Sequence, residues 1–375
     1  MRRLSILLCS LFLLSLLAAC GGGTVKGTAY SIDTASPLAN VKVSAKGSTA
    51  TTASDGTFSL NNVTAESRLV VKYEADSYAT SYSIVSVVKK ETSTTQGLLN
   101  KVGTSSSIFT NIANTLSLPN SSAQVVLAAD SLVGAAGGTV STTASANMTP
   151  IDPASNPQSI PGDYTAQTTT GGVQNIESFG ALNVELKDSS GKTLNLAAGK
   201  TASIRIPVAS RSVSPPLTAP LYYFSESSGR WVEEGSATLA GTPGNQYYEA
   251  SVTRLGLWSC ARPIDELIYV SGCLVDVTNQ PVANFSFVSS EGADYSGRVS
   301  TSTDASGNFR VAIKKNAIAS IGAIIQDGPG LYRQADFVKV DAAAADLSLA
   351  SCLVLSAASA YKPPTINVQP LDTNV

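Results

Sequence analysis

Two stretches near opposite ends of this chain repeat one another block for block. The first copy reads Val25-Lys26-Gly27, then Pro37-Leu38-Ala39-Asn40-Val41-Lys42-Val43, then Ser54-Asp55-Gly56-Thr57-Phe58-Ser59-Leu60. The second reads Val270-Ser271-Gly272, then Pro281-Val282-Ala283-Asn284-Phe285-Ser286-Phe287, then Asp304-Ala305-Ser306-Gly307-Asn308-Phe309-Arg310-Val311. Each first block is a strand whose glycine permits close packing. Each second block enters a strand through proline, which fixes φ and suits a strand start or edge. Val41 and Val43 alternate inward, as do Phe285 and Phe287. Each third block is an Asp/Gly turn that launches a strand opening on a buried phenylalanine. The second copy adds a longer hairpin, centred on Gly292 to Gly297.

The rest of the chain follows the same rule. Short β-branched runs are separated by Gly, Pro, Asn and Asp, and segments of amphipathic helical period are scarce. Leu182, Val184 and Leu186 alternate with polar residues up to the turn Asp188-Ser189-Ser190-Gly191-Lys192. Ala202, Ile204, Ile206 and Val208 repeat the pattern, and Pro220–Phe224 with Arg230-Trp231-Val232 make a hairpin. This predicts an all-β fold. Charged residues are 14% of the chain, against roughly 25% in ordinary soluble proteins. With a net charge of −2, nothing points to a nucleic-acid partner.

The repeated blocks resemble the carboxypeptidase-regulatory-like domain, a small seven-stranded sandwich related to transthyretin. That likeness implies a spacer, adhesion module or carbohydrate-binding-like fold, and no peptidase activity. Between the copies, Ala128–Val133, Thr149–Pro153, Ile160–Tyr164 and Glu177–Leu182 join the alternating runs above. Together they resemble the β-sandwich shared by netrin receptors, ankyrins and zonula-occludens proteins, as found in cartilage intermediate layer protein. Some relatives self-cleave at a His-Phe-Ser step. Here Arg254-Leu255-Gly256 stands in its place, without the histidine or the nucleophile, so no self-cleavage is expected.

At the N-terminus, Arg2-Arg3 precedes an apolar run, Leu4 to Leu17, that is short for a membrane span of about 20 residues. Leu17, Ala18, Ala19 and Cys20 then resemble a bacterial lipobox, which implies cleavage before Cys20 and acylation of its thiol. The expected partner is the lipid bilayer, reached through acylated Cys20, with Gly21-Gly22-Gly23 as a flexible spacer. Gly21 is not the Asp that favours inner-membrane retention, so the outer membrane is expected if the source is Gram-negative.

No histidine occurs in the chain. That removes the commonest general base and metal ligand, and every Ser-His or Cys-His nucleophile pair. No enzyme activity, cofactor or metal is expected. Asp55, Asp304, Asp152 and Asp163 read as turn residues, because a Ca²⁺ site needs six or more oxygens. Lys26 and Lys42 alternate outward, against an internal isopeptide bond. Tyr223 and Trp231, within an aromatic-rich middle region, are candidate ligand-binding side chains.

Of five cysteines, Cys9 leaves with the signal peptide. Cys273 and Cys352 both alternate outward, and in a transthyretin-like topology the first strand lies beside late strands. A Cys273–Cys352 bridge is expected, or else Cys260–Cys273 across the domain junction.

The expected architecture is three tandem β-sandwich domains after a lipoprotein signal peptide (1–19). The lipidated Cys and Gly linker occupy 20–23, a regulatory-like sandwich 24–105, a linker 106–117, a netrin-receptor-type sandwich 118–262, a second regulatory-like sandwich 268–356, and a flexible tail 357–375. Laid end to end, they would form an elongated stalk. The expected function is a membrane-anchored envelope lipoprotein for binding, adhesion or scaffolding. Its partner would be an envelope or extracellular protein or a glycan, with a carbohydrate-binding lipoprotein as the alternative.

Overall fold

Alternating burial along the repeated blocks builds two sandwiches of one topology. The computed structural model describes residues 22–134, 137–138, 140–327, 331–360, 366–368 and 371–372. The lipobox residues Leu17, Ala18, Ala19 and Cys20 lie outside these. In the N-terminal sandwich, strand Gly23–Ser31 pairs antiparallel with Thr57–Val63 and parallel with Thr92–Leu99. Facing it is a four-stranded sheet in the order Ser48–Thr51, Lys42–Ala45, Glu66–Glu74, Ser81–Val87. Val25, Val43, Phe58, Leu69 and Leu99 close the core between the layers.

The C-terminal sandwich repeats the plan. Strand Leu267–Asp276 pairs antiparallel with Asn308–Lys314, and parallel with Leu347–Leu349 and Leu353–Leu355. The facing sheet runs Arg298–Thr301, Val288–Gly292, Ala319–Gln326, Leu331–Val340. The parallel partner is continuous in the first copy and broken in the second. At the break, Cys352 is joined to Cys273 by a disulfide with Cα atoms 4.5 Å apart.

Backbone chemistry is duplicated as well. Gly27 faces Phe58 across the ladder as Gly272 faces Phe309. A methyl group on Gly272 would lie 2.7 Å from the Phe309 ring, so glycine is what lets the ring settle over the strand. Gly56 and Gly307 sit at φ +77° and +79°, a region that suits glycine. Two threonines tie the second block to the third. Thr52 Oγ1 accepts from Val41 N (2.9 Å) and donates to Leu38 O (2.6 Å). Thr303 Oγ1 accepts from Phe285 N (2.8 Å) and donates to Val282 O (2.7 Å).

The bonding also shifts the alignment of the turns. Ala53 and Asp304 are equivalent, because each bonds the residue four ahead of it and the glycine three ahead. Asp304 therefore caps from the front of its turn, accepting from Ser306 N and Asn308 N, whereas Asp55 accepts from Thr57 two residues on. The second block also departs from expectation in the second copy. Its strand begins only at Val288, and Phe285 and Phe287 pack edge to face just before it.

Between the two copies lies a larger sandwich whose strands belong to one folded-over sheet. Its spine is the 16-residue strand Val173–Asp188, which pairs with Gly256–Pro263 through a bulge between Ser178 and Gly180. The bulge bends the strand and separates two cores, one around Leu182 and Trp258, the other around Tyr222 and Trp231.

Three expectations are corrected. Residues read as a linker (106–117) contribute strands Thr104–Phe109 and Asn114–Ser117, which pair with Thr143–Ile151 and Gln124–Leu127. The tail read as flexible pairs at Ser359–Ala360, Ile366–Val368 and Leu371–Asp372. The glycine spacer is shorter than expected: the Gly22 carbonyl accepts from Lys90 N (3.2 Å), and Gly23 begins the first strand. In the linker only Ile108 and Leu116 reach the core among serines, threonines and asparagines, and the tail segments pair at available sheet edges.

Thr303→Val, which keeps the shape and removes both buried hydrogen bonds, is expected to cost about 1–3 kcal/mol in urea unfolding. Thr52→Val should cost a similar amount. Turn bonds also hold the Asp304 and Asp276 carboxyls below their ordinary value of 3.8. Stability from these groups is present above that value and is lost as pH falls through the lowered one. The fall in melting temperature below about pH 4 should be shallower in Asp304→Asn.

Candidate functional site

The three sandwiches fold back on one another around a cleft of about 420 Å³. The N-terminal sandwich contributes Tyr30 and Gln96, the central one Asn156, Gln158 and Arg211, and the C-terminal one Gln326, Tyr332 and Phe337. An extended stalk is therefore not what this chain forms. The first and last sandwiches touch directly: Gln96 Nε2 donates to the Gln326 carbonyl (3.0 Å), and Gln326 Nε2 donates to the Ala35 carbonyl (2.8 Å).

The central sandwich is fastened to each neighbour. On the N-terminal side, Arg68 pairs with Asp163 (2.8 Å) and donates to the Gly229 carbonyl (2.8 Å). Tyr82 stacks on Phe224 at 4.7 Å and donates to Glu226 at 2.5 Å. Burial, with Glu226 next in effect, pushes the Tyr82 phenol far above its ordinary range. Asn100 Nδ2 donates to the Ser159 carbonyl (2.8 Å).

On the C-terminal side the fastening centres on Glu177, whose side chain has 0% exposure. Its carboxylate is 2.8 Å from Lys314 Nζ of the C-terminal sandwich and 3.1 Å from Arg262 of its own. Ser212 Oγ also donates to it. The longer hairpin of the second copy supplies the rest. Ser296 O accepts from Ser178 N (2.8 Å), and Ser296 Oγ accepts from Arg211 N (2.9 Å). The buried Tyr295 ring fills the hairpin, between Gly292 and Gly297. Arg211 reaches the cleft wall with Nε on the Ala154 carbonyl (2.8 Å) and its guanidinium on the Gly292 carbonyl.

The cleft thus offers neutral amides, the phenols of Tyr30 and Tyr332 and one guanidinium. The other charged side chain in its wall, Glu291, pairs with Arg298 at 3.3 Å. Ser155 also lines it, and its hydroxyl donates to Asp152 three residues earlier (2.6 Å), closing a turn that Asp152 caps. Such a surface can hydrogen-bond and stack on a polar ligand. Among the described residues, no group of three or more Cys, Asp or Glu side chains is placed to hold a metal ion.

The residues singled out from sequence do not assemble here. Trp231 is 0% exposed, with its Nε1 donating to the Asp163 carbonyl (2.9 Å) and its ring edge-on to Phe224. It presents no face to a ligand, because strand alternation points it into the core. Tyr223 is half-buried, covered by Arg254 at 4.9 Å and packed on Trp258 at 5.1 Å. Cys260 is a free buried thiol, so the alternative bridge to Cys273 is not made. Burial pushes that thiol well above its ordinary value. Sequence reasoning missed Gln96, Arg211 and Gln326, which lie far apart in the chain and show no local pattern. Glu177 did carry a signal, as a lone acid in the mostly apolar run Ile176–Leu182.

No family model and no curated protein matches this chain. Solved structures do. The TIE protein of Bacillus anthracis aligns over 93% of this chain at 10% identity and TM-score 0.19, and the chain covers 51% of that protein, about half its length. The shaft pilin SpaA of Lactobacillus rhamnosus GG aligns over 91% of this chain and 100% of its own, at 10% identity and TM-score 0.18. A protein of unknown function from Bacteroides fragilis, described as membrane-associated, aligns over 64% of this chain and 98% of its own, at 9% identity and TM-score 0.19.

Glu177→Gln removes the charge shared by Lys314 and Arg262. Both cations keep contact with water, so the expected cost is modest, about 1–2 kcal/mol. Equilibrium unfolding in urea measures it, and limited proteolysis should show faster cutting near the junction at Ile264.

Proposed function

We propose that this chain is a lipid-anchored, exported protein of the cell envelope that binds or scaffolds and does not catalyse. The observation that carries this reading is the cleft between the three sandwiches. Its wall is made of amides, aromatic rings and an arginine already engaged with carbonyls. The Ser155 hydroxyl in its wall is held by Asp152 inside a capped turn, and the chain has no histidine to act as a general base. The cross-linked sandwiches supply rigidity, which lowers the ordering cost of binding. The Cys273–Cys352 bridge fits an oxidising compartment.

The anchoring is carried by Leu17, Ala18, Ala19 and Cys20. Cys20→Ala is expected to abolish acyl labelling and move the protein from the membrane to the soluble fraction. Unchanged processing and membrane retention would refute the anchor.

A specific observation also favours the glycan reading. Gln96, Asn156, Gln158 and Gln326 place amides beside Tyr332 and Phe337, and amides with aromatic faces suit sugar hydroxyls and sugar rings. The site is then the cleft and not Tyr223 or Trp231. On a glycan array, saturable binding should fall at least tenfold in Tyr332→Ala and Gln158→Ala, about 1.4 kcal/mol each. Binding that ignores both changes would remove the cleft from consideration, and capture of an envelope protein by the wild-type chain alone would favour the protein-partner reading.

A further inference from the structure

We infer that the pole of the N-terminal sandwich formed by Val88, Lys89 and Lys90 docks on the anionic phosphate headgroups of the membrane that holds the lipid anchor. This rests on the anchor reading for its geometry. Gly22 is bonded into that pole: its carbonyl accepts from Lys90 N at 3.2 Å, and Thr24 N donates to the Glu91 carbonyl at 2.8 Å. Cys20 is two residues before Gly22. At a maximum of about 3.6 Å per residue, the chain can separate them by only about 7 Å. An acylated Cys20 would therefore hold this pole against the headgroups instead of letting the sandwich swing on a linker.

The side chains at the pole suit that contact. Val88 is 48% exposed, and Lys89 and Lys90 are exposed beside it. Among the described residues, neither lysine has an acidic side chain within ion-pair distance, whereas the other pair at this end, Lys46 and Glu66, is closed at 2.6 Å. The remaining charge in the turn is the exposed Glu91, so the turn keeps a net positive charge. Lys90 is further held at φ +65°, which fixes the turn carrying both cations. An apolar tip flanked by free ammonium groups, within reach of an acyl chain, matches a phosphate-bearing lipid surface.

The test reads docking and anchoring separately. The full mature protein is reconstituted into phosphatidylglycerol–phosphatidylethanolamine vesicles, into phosphatidylcholine vesicles and into detergent. Amide hydrogen exchange is then followed across Val88–Glu91. Docking predicts exchange about tenfold slower in the anionic vesicles than in detergent, with the protection lost in Lys89→Glu/Lys90→Glu and at about 0.5 M salt. Equal exchange in all three settings overturns it. The mass of the N-terminal peptide reports the acyl group by itself. Should that group be absent, the soluble Cys20→Ala chain still decides the matter. Its sedimentation with phosphatidylglycerol vesicles at low salt should fall about tenfold in the double-lysine variant, and no sedimentation, or no difference, overturns the proposal.

Discussion

Glu177 finds its cations in two different sandwiches, and the junction between the central and C-terminal sandwiches is built around it. Burying a carboxylate without exposure is costly unless it is paired and hydrogen-bonded. Arg262 and Ser212 alone could serve within the central sandwich, but Lys314 arrives from the C-terminal one. Its approach brings the Gly292–Gly297 hairpin onto the bulge at Ser178 and seats Arg211 against Gly292. In the same sandwich, on the facing sheet, Gln326 reaches Ala35 of the first sandwich. The buried charge is thus one of several fastenings that hold the two sheets around the cleft.

Much of the architecture was legible in the residues. Gly27 and Gly272, with Phe58 and Phe309 opposite, mark the same strand pair in both copies, because a ring lying over a strand demands a missing side chain. Alternation at Leu182, Val184 and Leu186 located the spine of the central sandwich, and all three are buried. What could not be read was tertiary. Thr104–Phe109 is mostly serine and threonine, a composition that suits a linker as well as an edge strand. It pairs along the open edge of Thr143–Ile151 and buries only Ile108 of its own side chains. The hairpin at Gly292–Gly297 was visible as extra length, while its role depends on which surface it meets.

The cleft was illegible for a related reason. Its side chains come from three regions separated by up to several hundred residues, and amides such as Gln96 and Gln326 look like ordinary surface polarity in a sequence. Aromatic residues misled in the opposite sense. Trp231, a candidate ligand-binding ring in the sequence, is used by the fold as core, with its indole also holding the Asp163 carbonyl. That carbonyl belongs to the residue whose carboxylate receives Arg68, so one turn serves both the core of one sandwich and the seam with the next.

The strand Gly23–Ser31 has one end at the pole where the lipid would attach and the other in the wall of the cleft, where Tyr30 and Ser31 lie. At about 3.3 Å per residue, its length is about 26 Å. On the proposed anchoring, a single unbroken strand acts as a ruler. It holds the cleft at a set height above the headgroups, within reach of soluble molecules or chain ends near the bilayer and out of reach of anything buried among the acyl tails.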